Sequence, residues 1–409
     1  MIRTDVLVVG GGPAGASTAF HLAKRGIDAL VVDKATFPRE KVCGDGLTPR
    51  GVRALLDMGI DPQADPGFTR IDGLRVHGEG VHLELPWPEV SAYPRYGVVR
   101  TRHDLDDLLL RHAAASGARV MEGAEALAPV VERGWVTGAT LRRDGKEETV
   151  RARFVVACDG ASSRFAGRAG VRRDPGRPLG VAARRYFRVP GGDGRFFESW
   201  LQLWDGDRLL PGYGWIFPVG NGLVNVGAGL LNTYRRFRDV SAKKVYELFV
   251  AGAGAERELT EEAAVGPLLS GPLPMGMNRR PLALPGLLVA GDAGGIVNPF
   301  NGEGIAYAME SGQLAAELVH EALVRGRPGV AHLYPTALRQ RYGRYFSVGR
   351  AFVRAIGSPT VMRLATTYGL RREALMRFLL RMMANLTDGR GGDPQDRLMD
   401  AVLRLAPEG

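Results

Sequence analysis

The chain has 409 residues, of which 45% are hydrophobic and 24% are charged, so it is long enough to fold into two or three packed domains. Its net charge of +10 comes from arginine, with 48 Arg against 6 Lys. No run of basic residues alternates with aromatic residues and no nucleic-acid-binding module is recognisable, so we expect no nucleic-acid partner.

The cysteines and histidines predict no metal centre. Cys43 and Cys158 are 115 positions apart and the seven histidines are scattered, which fits neither a metal-ligand spacing nor a disulfide framework. A strand begins close to Met1, and no apolar run approaches the ~18 residues of a membrane-spanning helix. We therefore expect no signal peptide, no membrane span, and a cytoplasmic protein that either is free or contacts the inner face of the membrane peripherally.

Residues 5–34, DVLVVGGGPAGASTAFHLAKRGIDALVVDK, predict a β-α-β unit. The continuous apolar run at 6–9 is typical of a strand that is buried on both faces. In the turn that follows, Gly10 permits a tight bend, Gly12 lets the backbone approach a pyrophosphate, and Gly15 lets the helix touch the strand. This arrangement predicts a dinucleotide whose phosphates lie at the helix N-terminus.

The second strand of this unit ends in an acidic residue. Asp33 is placed there to accept hydrogen bonds from ribose hydroxyls. The contacts that we expect with the cofactor in this unit are Gly10, Gly12, Pro13, Ala14, Gly15, Asp33 and Lys34.

Two later apolar strands also end in an aspartate beside a glycine. The first runs into Asp159 and Gly160, and the second ends at Gly291 and Asp292. A glycine-rich loop follows the second strand and opens a long predicted helix. Its glycines let backbone amides approach a flat ring, and Pro299 stiffens the loop.

In this order, the three segments resemble the fingerprints of the glutathione-reductase-type FAD proteins, in the branch typified by para-hydroxybenzoate hydroxylase. The resemblance implies FAD as cofactor, with Asp292 at its ribityl and pyrophosphate region and the loop 294–304 against the isoalloxazine. Arg102 matches an arginine that contacts the cofactor at the head of a helix, and the alternative is a solvated surface arginine. The implied contacts outside the first unit are Arg102, Asp159, Gly160, Gly291, Asp292, Pro299, Gly302, Gly304 and Ile305.

Residues 175–270 consist largely of successive strand-like runs, which predict an antiparallel sheet. Asn221-Gly222 between two strand-like runs predicts a hairpin turn. The segment is rich in aromatic residues, which either form a wall facing the cofactor or belong to the core: Trp200, Trp204, Tyr213, Trp215 and Phe217.

Three motifs resemble the geranylgeranyl reductase family. They are YGWIFP followed after eight residues by Gly-x-Gly, the segment KVCG that contains Cys43 and Gly44, and the loop NPFNGEGI. The segment CGDGLTPR looks most like the actinobacterial members, some of which reduce a prenyl unit of menaquinone. The resemblance implies a substrate site made of Tyr213, Trp215, Phe217 and Pro218.

The family resemblance also places Cys43 and Gly44 near the isoalloxazine, as contacts of the cofactor. There Cys43 is a proton donor, a redox partner or a residue that packs on the ring, and the alternative is a small buried hydrophobic residue. Tyr213 is a second candidate donor. The expected reaction saturates carbon–carbon double bonds of an isoprenoid lipid or prenylquinone, with NAD(P)H or another reduced carrier as electron source.

The predicted fold is α/β, with a Rossmann-like FAD-binding domain of the glutathione-reductase and para-hydroxybenzoate-hydroxylase type. An antiparallel β-sheet substrate domain is inserted in it, and a C-terminal helical segment follows. The predicted boundaries are 1–75, 101–174 and 271–330 for FAD binding, 76–100 and 175–270 for the substrate domain, and 331–409 for the C-terminal region.

Three alternatives stay open at this stage. Flavin-dependent halogenases and aromatic hydroxylases share the FAD framework, and the halogenase motif Trp-x-Trp-x-Ile-Pro is approached but not matched by YGWIFP. A flavin-bearing electron-transfer protein is the third alternative. The C-terminal region carries 13 arginines against six acidic residues and mixes them with apolar residues, which suits either an anionic lipid surface or ordinary packed helices.

Overall fold

The computed structural model of the chain describes residues 2–389 and 392–408. The predicted terminal domains also include Met1, Arg390, Gly391 and Gly409, which lie outside the described residues. In chain order the strands are β1 (Ile2–Val9), β2 (Ala29–Val32), β3 (Gly46–Leu47), β4 (Thr69–Ile71), β5 (Gly73–Gly78), β6 (Val81–Pro86), β7 (Gly97–Val99), β8 (Arg119–Met121), β9 (Glu125–Glu132), β10 (Trp135–Arg143), β11 (Lys146–Ala157), β12 (Arg172–Arg173), β13 (Leu179–Arg188), β14 (Phe196–Trp200), β15 (Leu203–Asp205), β16 (Arg208–Leu210), β17 (Gly212–Gly220), β18 (Leu223–Leu231), β19 (Ala264–Pro274), β20 (Arg279–Arg280), β21 (Ala283–Leu284) and β22 (Leu287–Val289).

The helices are concentrated around the first sheet and in the C-terminal region. They are α1 (Pro13–Ala23), α2 (Pro49–Asp57), α3 (Arg102–Ala115), α4 (Arg164–Arg168), α5 (Ala242–Arg257), α6 (Ile305–Val324), α7 (Tyr334–Ile356), α8 (Pro359–Leu364), α9 (Glu373–Met383) and α10 (Pro394–Arg404). A short π-helical turn, Ala365–Gly369, joins α8 to the segment before α9.

The first domain is built on an eight-stranded sheet drawn from three separate parts of the chain. Its path runs β21-β22-β11-β1-β2-β8, and β10 and β9 continue from β11. Strand β1 lies in the middle, parallel to both β11 and β2. Burial on both faces explains the continuous apolar runs in these strands. The predicted Rossmann-like architecture is confirmed.

Helices α1 and α6 cross closely beside this sheet. The Ser17 hydroxyl donates to the Met309 carbonyl over 2.7 Å. A Cβ atom at Gly312 would lie 2.3 Å from the Ala14 carbonyl oxygen, so the helices can approach this far only with glycine at that position.

The second domain is a seven-stranded sheet with the order β19-β13-β18-β17-β14-β5-β6. The predicted hairpin is confirmed, because Gly220 pairs with Leu223 and the two turn residues, Asn221 and Gly222, both have positive φ. One pair differs from the expected antiparallel sheet, since β14 runs parallel to β5. No hairpin joins these two strands, so no short turn forces them to run in opposite directions.

Side chains alternate between the two faces of this second sheet. One face packs against α5 in a hydrophobic cluster that includes Ile216, Val226 and Phe249. The opposite face, which carries Tyr213 and Trp215, turns toward the first domain. Of the predicted segment 76–100, strand β6 joins this sheet, while β7 pairs with β3 and β4 in a separate three-stranded sheet.

The C-terminal helices pack on both domains. Tyr345 of α7 and Met399 of α10 belong to the main cluster of the first domain. Leu370 and Leu380 join a different cluster that contains Phe197 of the second sheet. Within the described residues, no helix combines the length and the apolarity that crossing a bilayer requires.

Candidate functional site

The glycine turn between β1 and α1 is closely packed. Gly10 has a φ of +103°, and a Cβ atom at Gly15 would lie 1.8 Å from the Gly10 carbonyl oxygen. Helix α1 begins at Pro13 after Gly12, and no side chain in the described part of the structure caps its first amides. Free amides at a helix N-terminus attract phosphate, so this turn fits the pyrophosphate of a dinucleotide.

Asp33 stabilises the turn from the end of β2. Its two carboxylate oxygens accept hydrogen bonds from the backbone amides of Gly11, at 2.7 Å, and Ala35, at 2.9 Å. Each oxygen can accept a further bond, and the side chain is half-buried, which leaves it available to ribose hydroxyls. Lys34 next to it is exposed.

Arg102 lies in a buried ion pair rather than on the surface. Its Nε and Nη2 atoms donate to the two carboxylate oxygens of Asp106 at 2.6 Å and 2.7 Å. Burial disfavours the guanidinium charge, but Asp106 outweighs burial and raises the pKa of Arg102. Arg39 also pairs with Asp106, at 3.1 Å, and a Cβ atom at Gly12 would lie 3.4 Å from the Arg39 guanidinium. The ion pairs therefore adjoin the nucleotide turn.

Asp159 follows the end of β11 by two residues and lies beside the same turn. One of its carboxylate oxygens accepts from the Phe165 amide at 2.7 Å, and the other is buried with no hydrogen-bond partner among residues 2–389 and 392–408. Burial raises the pKa of this carboxyl group. A buried oxygen without a hydrogen-bond partner is consistent with a cofactor site, where a polar group of the cofactor would donate the missing bond. Gly160, with a φ of +74°, lies near the Lys41 ammonium group, 3.8 Å from where its Cβ atom would be.

The Gly291-Asp292 turn connects the starts of α1 and α6. A Cβ atom at Gly291 would lie 2.9 Å from Ala14 Cβ, and one at Gly304 would lie 3.4 Å from Asp292 Oδ1. Helix α6 begins at the buried Ile305, and its first turn, like that of α1, has no side-chain cap among the described residues. Two uncapped helix starts and one carboxylate therefore lie near one another.

The loop that leads into α6 is held on both sides. Pro299 is buried, and a Cβ atom at Gly349 of α7 would lie 2.5 Å from Pro299 Cγ. On the other side, the Tyr213 hydroxyl of β17 donates to the Asn301 carbonyl over 2.8 Å. Gly302 has a φ of +79°, and a Cβ atom there would lie 3.6 Å from the Tyr213 oxygen. The loop is thus fixed between the second sheet and the C-terminal helices.

Tyr213, Trp215 and Phe217 form what we call the aromatic row. They share one face of β17, with ring centres 5.9 Å apart for the first pair and 6.3 Å apart for the second. The segment 43–46, which we call the cysteine segment, lies against this row. A Cβ atom at Gly44 would be 3.1 Å from the Phe217 ring and 3.4 Å from the Trp215 indole nitrogen. The structure therefore brings the KVCG and YGWIFP motifs into contact.

Three other residues that the sequence analysis singled out lie elsewhere. Pro218 pairs with Val224, whose side chain packs toward α5, so it is on the face opposite to the aromatic row. Trp200 is on that opposite face as well, stacked on His77 with ring centres 4.2 Å apart. Trp204 is 38% exposed. The site that the structure assembles does not include them.

Asn225 of β18 links the aromatic row to the cysteine segment. Its side-chain oxygen accepts from the Trp215 indole over 2.9 Å. Its amide group donates to the Cys43 carbonyl at 2.8 Å and to the Asp45 carboxylate at 2.7 Å. The side chain is 0% exposed, so these bonds are shielded from water.

Asp45 is the centre of this buried network. One carboxylate oxygen accepts from the Arg102 amide at 3.1 Å, and the other accepts from the Tyr186 hydroxyl at 2.5 Å as well as from Asn225. Burial raises the pKa of Asp45 to about 6, although the hydrogen bonds from Tyr186 and Asn225 oppose the shift. The carboxylate therefore joins the first domain to two strands of the second sheet.

The two candidate proton donors keep their protons near neutral pH. Burial raises the pKa of the Cys43 thiol, while the positive charge of Arg102 opposes the shift. Burial, together with the neighbouring Cys43, raises the pKa of Tyr213 to about 12. Cys43 and Tyr213 are both half-buried, which is compatible with access by a substrate.

Glu303 brings a third acidic group to the site. Its Oε1 atom accepts from the Thr48 hydroxyl at 2.7 Å, and its Oε2 atom is buried with no hydrogen-bond partner in the part of the chain that the structure describes. Burial raises the pKa of Glu303 to about 7, against the opposing effects of Thr48 and Arg50. The carboxyl group thus titrates close to physiological pH.

Arg50 forms a buried ion pair that supports the loop around Glu303. Its Nε and Nη2 atoms lie 2.8 Å and 2.9 Å from the Glu310 carboxylate oxygens, and Tyr342 also donates to Glu310. The guanidinium lies 5.0 Å from the centre of the Tyr307 ring. Paired charges of this kind tie α2 to α6 and α7.

The sequence analysis missed Asp45, Asn225 and Glu303. Asp45 and Glu303 both lie within predicted motifs, because Asp45 follows Cys43 by two positions and Glu303 lies inside the glycine-rich loop. The signal for Asn225 was one polar residue inside the apolar strand LVNVGAGLL. A polar side chain in a buried strand needs partners, and here the partners come from distant parts of the chain.

A Rossmann-like domain with three nucleotide fingerprints and a second sheet over them defines an FAD-dependent oxidoreductase. Comparison with known proteins agrees with this class. A family model described as an FAD binding domain matches residues 3–183. The menaquinone reductase of Mycobacterium tuberculosis is 39% identical over 97% of each chain. The digeranylgeranylglycerophospholipid reductase of Thermoplasma acidophilum is 29% identical and covers 83% of this chain and 84% of its own.

Solved structures give the same assignment. A geranylgeranyl bacteriochlorophyll reductase-like protein of Thermoplasma acidophilum aligns with a TM-score of 0.80 and 25% identity, over 98% of this chain and 100% of its own. A flavin-dependent brominase aligns with a TM-score of 0.71 and 20% identity, over 98% of this chain and 99% of its own, which shows a shared fold. The chain belongs to the geranylgeranyl reductase family of FAD-dependent oxidoreductases.

The raised pKa of Glu303 makes a prediction about stability. The folded protein binds this proton more tightly than the unfolded chain does, so its contribution to the free energy of unfolding is complete below pH 4.5 and is lost as the pH rises to about 7. Glu303→Gln keeps the acceptor for Thr48 and should remove up to about 3 kcal/mol of this pH-dependent change. Urea unfolding of the FAD-loaded protein at several pH values measures it. Glu247→Gln, which removes one exposed carboxyl from α5, is the control, and equal slopes for wild type and Glu303→Gln would contradict the prediction.

Proposed function

We propose that this protein saturates carbon–carbon double bonds of an isoprenoid chain, with a prenylquinone such as menaquinone or a geranylgeranyl lipid as substrate. The observation that carries the proposal is the contact between the cysteine segment and the aromatic row, in which Gly44, next to Cys43, lies against the Phe217 and Trp215 rings. The menaquinone and digeranylgeranylglycerophospholipid reductases among the relatives support the same substrate class.

The chemistry sets the requirements of the site. An isolated trisubstituted alkene is not electrophilic, so a proton must reach one carbon as a hydride reaches the other, more substituted, carbon. The π bond breaks, two C–H bonds form, and the donor side chain is reprotonated from solvent. Reduced FAD supplies the hydride, and NAD(P)H or another reduced carrier supplies its electrons. The chain's own residues must bind the prenyl unit, exclude water and deliver the proton.

Binding of the prenyl chain follows from the apolar character of the aromatic row. Burying one five-carbon isoprene unit contributes ~4 kcal/mol at about 0.8 kcal/mol for each methylene-sized group. Positioning the double bond next to the reacting groups lowers the barrier further, by up to ~7–11 kcal/mol for a well-oriented pair. Asn225 fixes the Trp215 indole for this purpose, because a held ring orients its ligand better than a mobile one.

The cofactor contacts that we propose follow the three fingerprints. The α1 amides and Gly12 hold the pyrophosphate, and Asp33 accepts from the ribose. Asp292 and the uncapped start of α6 hold the ribityl and ring region. Arg102 acts through its ion pair with Asp106 to support the nucleotide turn. A polar group of the cofactor donates a hydrogen bond to the unpaired buried oxygen of Asp159.

We assign proton donation to Cys43 and positioning to Tyr213. Both groups are protonated near neutral pH because their pKa values are raised. The Tyr213 proton is already engaged by the Asn301 carbonyl, which favours Cys43 as the donor. A thiol is also the stronger acid of the two groups, so it transfers its proton more readily.

The first test of the function is reduction without oxygen. We expect the FAD-loaded protein, reduced chemically under anaerobic conditions, to increase the mass of a fully unsaturated prenylquinone or geranylgeranyl lipid by two hydrogens per saturated bond. Mass spectrometry of the products measures this. A strict need for oxygen, with a hydroxylated or halogenated product, would instead support the monooxygenase or halogenase alternative. Electron transfer with no change in any prenyl substrate would support an electron-transfer protein.

A second test separates the two candidate donors. Cys43→Ala should lower the rate of the alkene-reducing step by about 10²–10⁴, the usual contribution of a general acid, with FAD loading unchanged. Tyr213→Phe should lower it by a smaller factor. Single-turnover kinetics measures the step, and flavin absorbance measures loading. Cys158→Ala is the matched control for loss of a buried thiol, and a larger defect in Tyr213→Phe than in Cys43→Ala would reverse the assignment.

We also propose that the C-terminal region contacts the membrane that holds the substrate. Val361, Leu364 and Tyr368 are exposed on α8 and the turn after it, at 40%, 53% and 65%. Exposed arginines flank them at 363, 371 and 372, which suits anionic lipid. Leu370, on the inner side of this surface, packs in the cluster that contains Phe197, and Phe217 of the aromatic row packs against that cluster. Apolar packing thus continues from this surface to the aromatic row.

Vesicle binding tests the membrane proposal. The double variant Leu364→Ser, Tyr368→Ser should reduce cosedimentation with anionic vesicles at least about fivefold, because each lost apolar contact weakens insertion. Val324→Ser is the matched control, since Val324 is 68% exposed at the end of α6. Equal binding by wild type and the double variant, or no preference for anionic over neutral vesicles, would contradict the proposal.

A further inference from the structure

His77, His82 and Glu256 converge at one edge of the second sheet. His77 and His82 are directly opposite each other in the antiparallel β5–β6 pair, and Glu256 comes from the last turn of α5. One ligand atom of each side chain lies within 4.8 Å of the other two. His77 is buried, while His82 and Glu256 are exposed, so the point of convergence is open to solvent. We call these three residues the histidine cluster.

The surroundings of His77 hold its ring in place. Its Nε2 atom lies 3.4 Å from the Glu198 carboxylate, and its ring is stacked on Trp200. Arg75 and Arg257 lie 2.8 Å and 2.9 Å from the same carboxylate. With its Nε2 edge toward Glu198, the ring presents its Nδ1 atom to His82.

The Nδ1 atom of His77 faces a second imidazole nitrogen. The Nδ1 atoms of His77 and His82 are 2.7 Å apart, the distance of an N–H···N hydrogen bond. A small rotation of the exposed His82 ring separates the two nitrogens enough for a cation to replace that proton, and the cation then also meets the Glu256 carboxylate. Among residues 2–389 and 392–408, no salt bridge to Glu256 is formed. Arg257, the next residue along the chain, is paired with Glu198 instead.

We propose that the histidine cluster binds a divalent transition metal ion of the Zn²⁺ class. Two imidazole nitrogens and one carboxylate are a standard protein ligand set for Zn²⁺, with the remaining position left to water. The approach of Glu198 to His77 Nε2, at 3.4 Å, is the outer contact that orients a metal-ligating histidine. The bound ion joins the β5–β6 edge of the sheet to the end of α5.

This site is separate from the FAD site. Val76, next to His77 on β5, packs on the same side as Phe197, whereas His77 lies on the α5 side. The aromatic row and the histidine cluster therefore occupy opposite faces of one sheet. We expect the metal to stabilise the second domain and leave FAD loading unchanged, so this proposal does not depend on the proposed reaction.

Metal titration tests the site. FAD-loaded protein that has been treated with a chelator and dialysed should take up one equivalent of Zn²⁺ in calorimetry, and Co²⁺ should give the visible spectrum of a nitrogen- and oxygen-coordinated ion. His82→Gln and Glu256→Gln should each weaken the affinity at least about tenfold, as loss of a ligand does. Zn²⁺ should raise the melting temperature of the wild type but not of His82→Gln.

Two matched controls make the result specific. His332→Gln and Glu247→Gln remove an exposed histidine and an exposed glutamate outside the cluster, and both should bind Zn²⁺ as the wild type does. Because all four substituted residues are exposed, the variants should fold and retain FAD, which flavin absorbance verifies. Absence of saturable Zn²⁺ uptake by the wild type, or equal uptake by His82→Gln and Glu256→Gln, would overturn the proposal.

Discussion

The buried carboxylate of Asp45 is the interaction on which the site depends. It accepts from the Arg102 amide in the first domain and from Tyr186 and Asn225 in the second sheet. Asp45 is 0% exposed, and burying a carboxyl group costs free energy unless all of its hydrogen-bond partners are in place. Because these partners come from both domains, the network selects one relative position of the two domains. That position puts Gly44 against the rings of the aromatic row, and a side chain at residue 44 would force them apart.

The C-terminal helices complete the site from the other side. Asn298, at the start of the loop into α6, donates to the Tyr345 hydroxyl and to the Met383 carbonyl, and Tyr345 in turn donates to the same carbonyl. Together with the Arg50 ion pair, these bonds fix the glycine-rich loop between two helices and the second sheet. This loop is therefore rigid although it is rich in glycine, because its stiffness comes from its partners.

Reductases and halogenases share this fold, so the reaction is determined by particular side chains and not by the fold. The brominase aligns over nearly the whole chain, so neither the Rossmann-like domain nor the second sheet distinguishes the two activities. What differs here is local. The first position of YGWIFP is a tyrosine whose hydroxyl binds the loop at Asn301, and the cysteine segment lies directly under the next two rings.

Features that depend only on residues close together in the chain could be predicted from the sequence. The Gly10-Gly12-Gly15 turn, the Asn221-Gly222 hairpin and the buried strands follow from local sterics and from the period of apolar residues. The tertiary structure alone decided which side chains meet. Asn225 and Asp45 are 180 positions apart, and which face of β17 carries Pro218 depends on the strand register. The histidines at 77 and 82 looked scattered because only the β5–β6 pairing and the end of α5 bring them to Glu256, through contacts that no local pattern encodes.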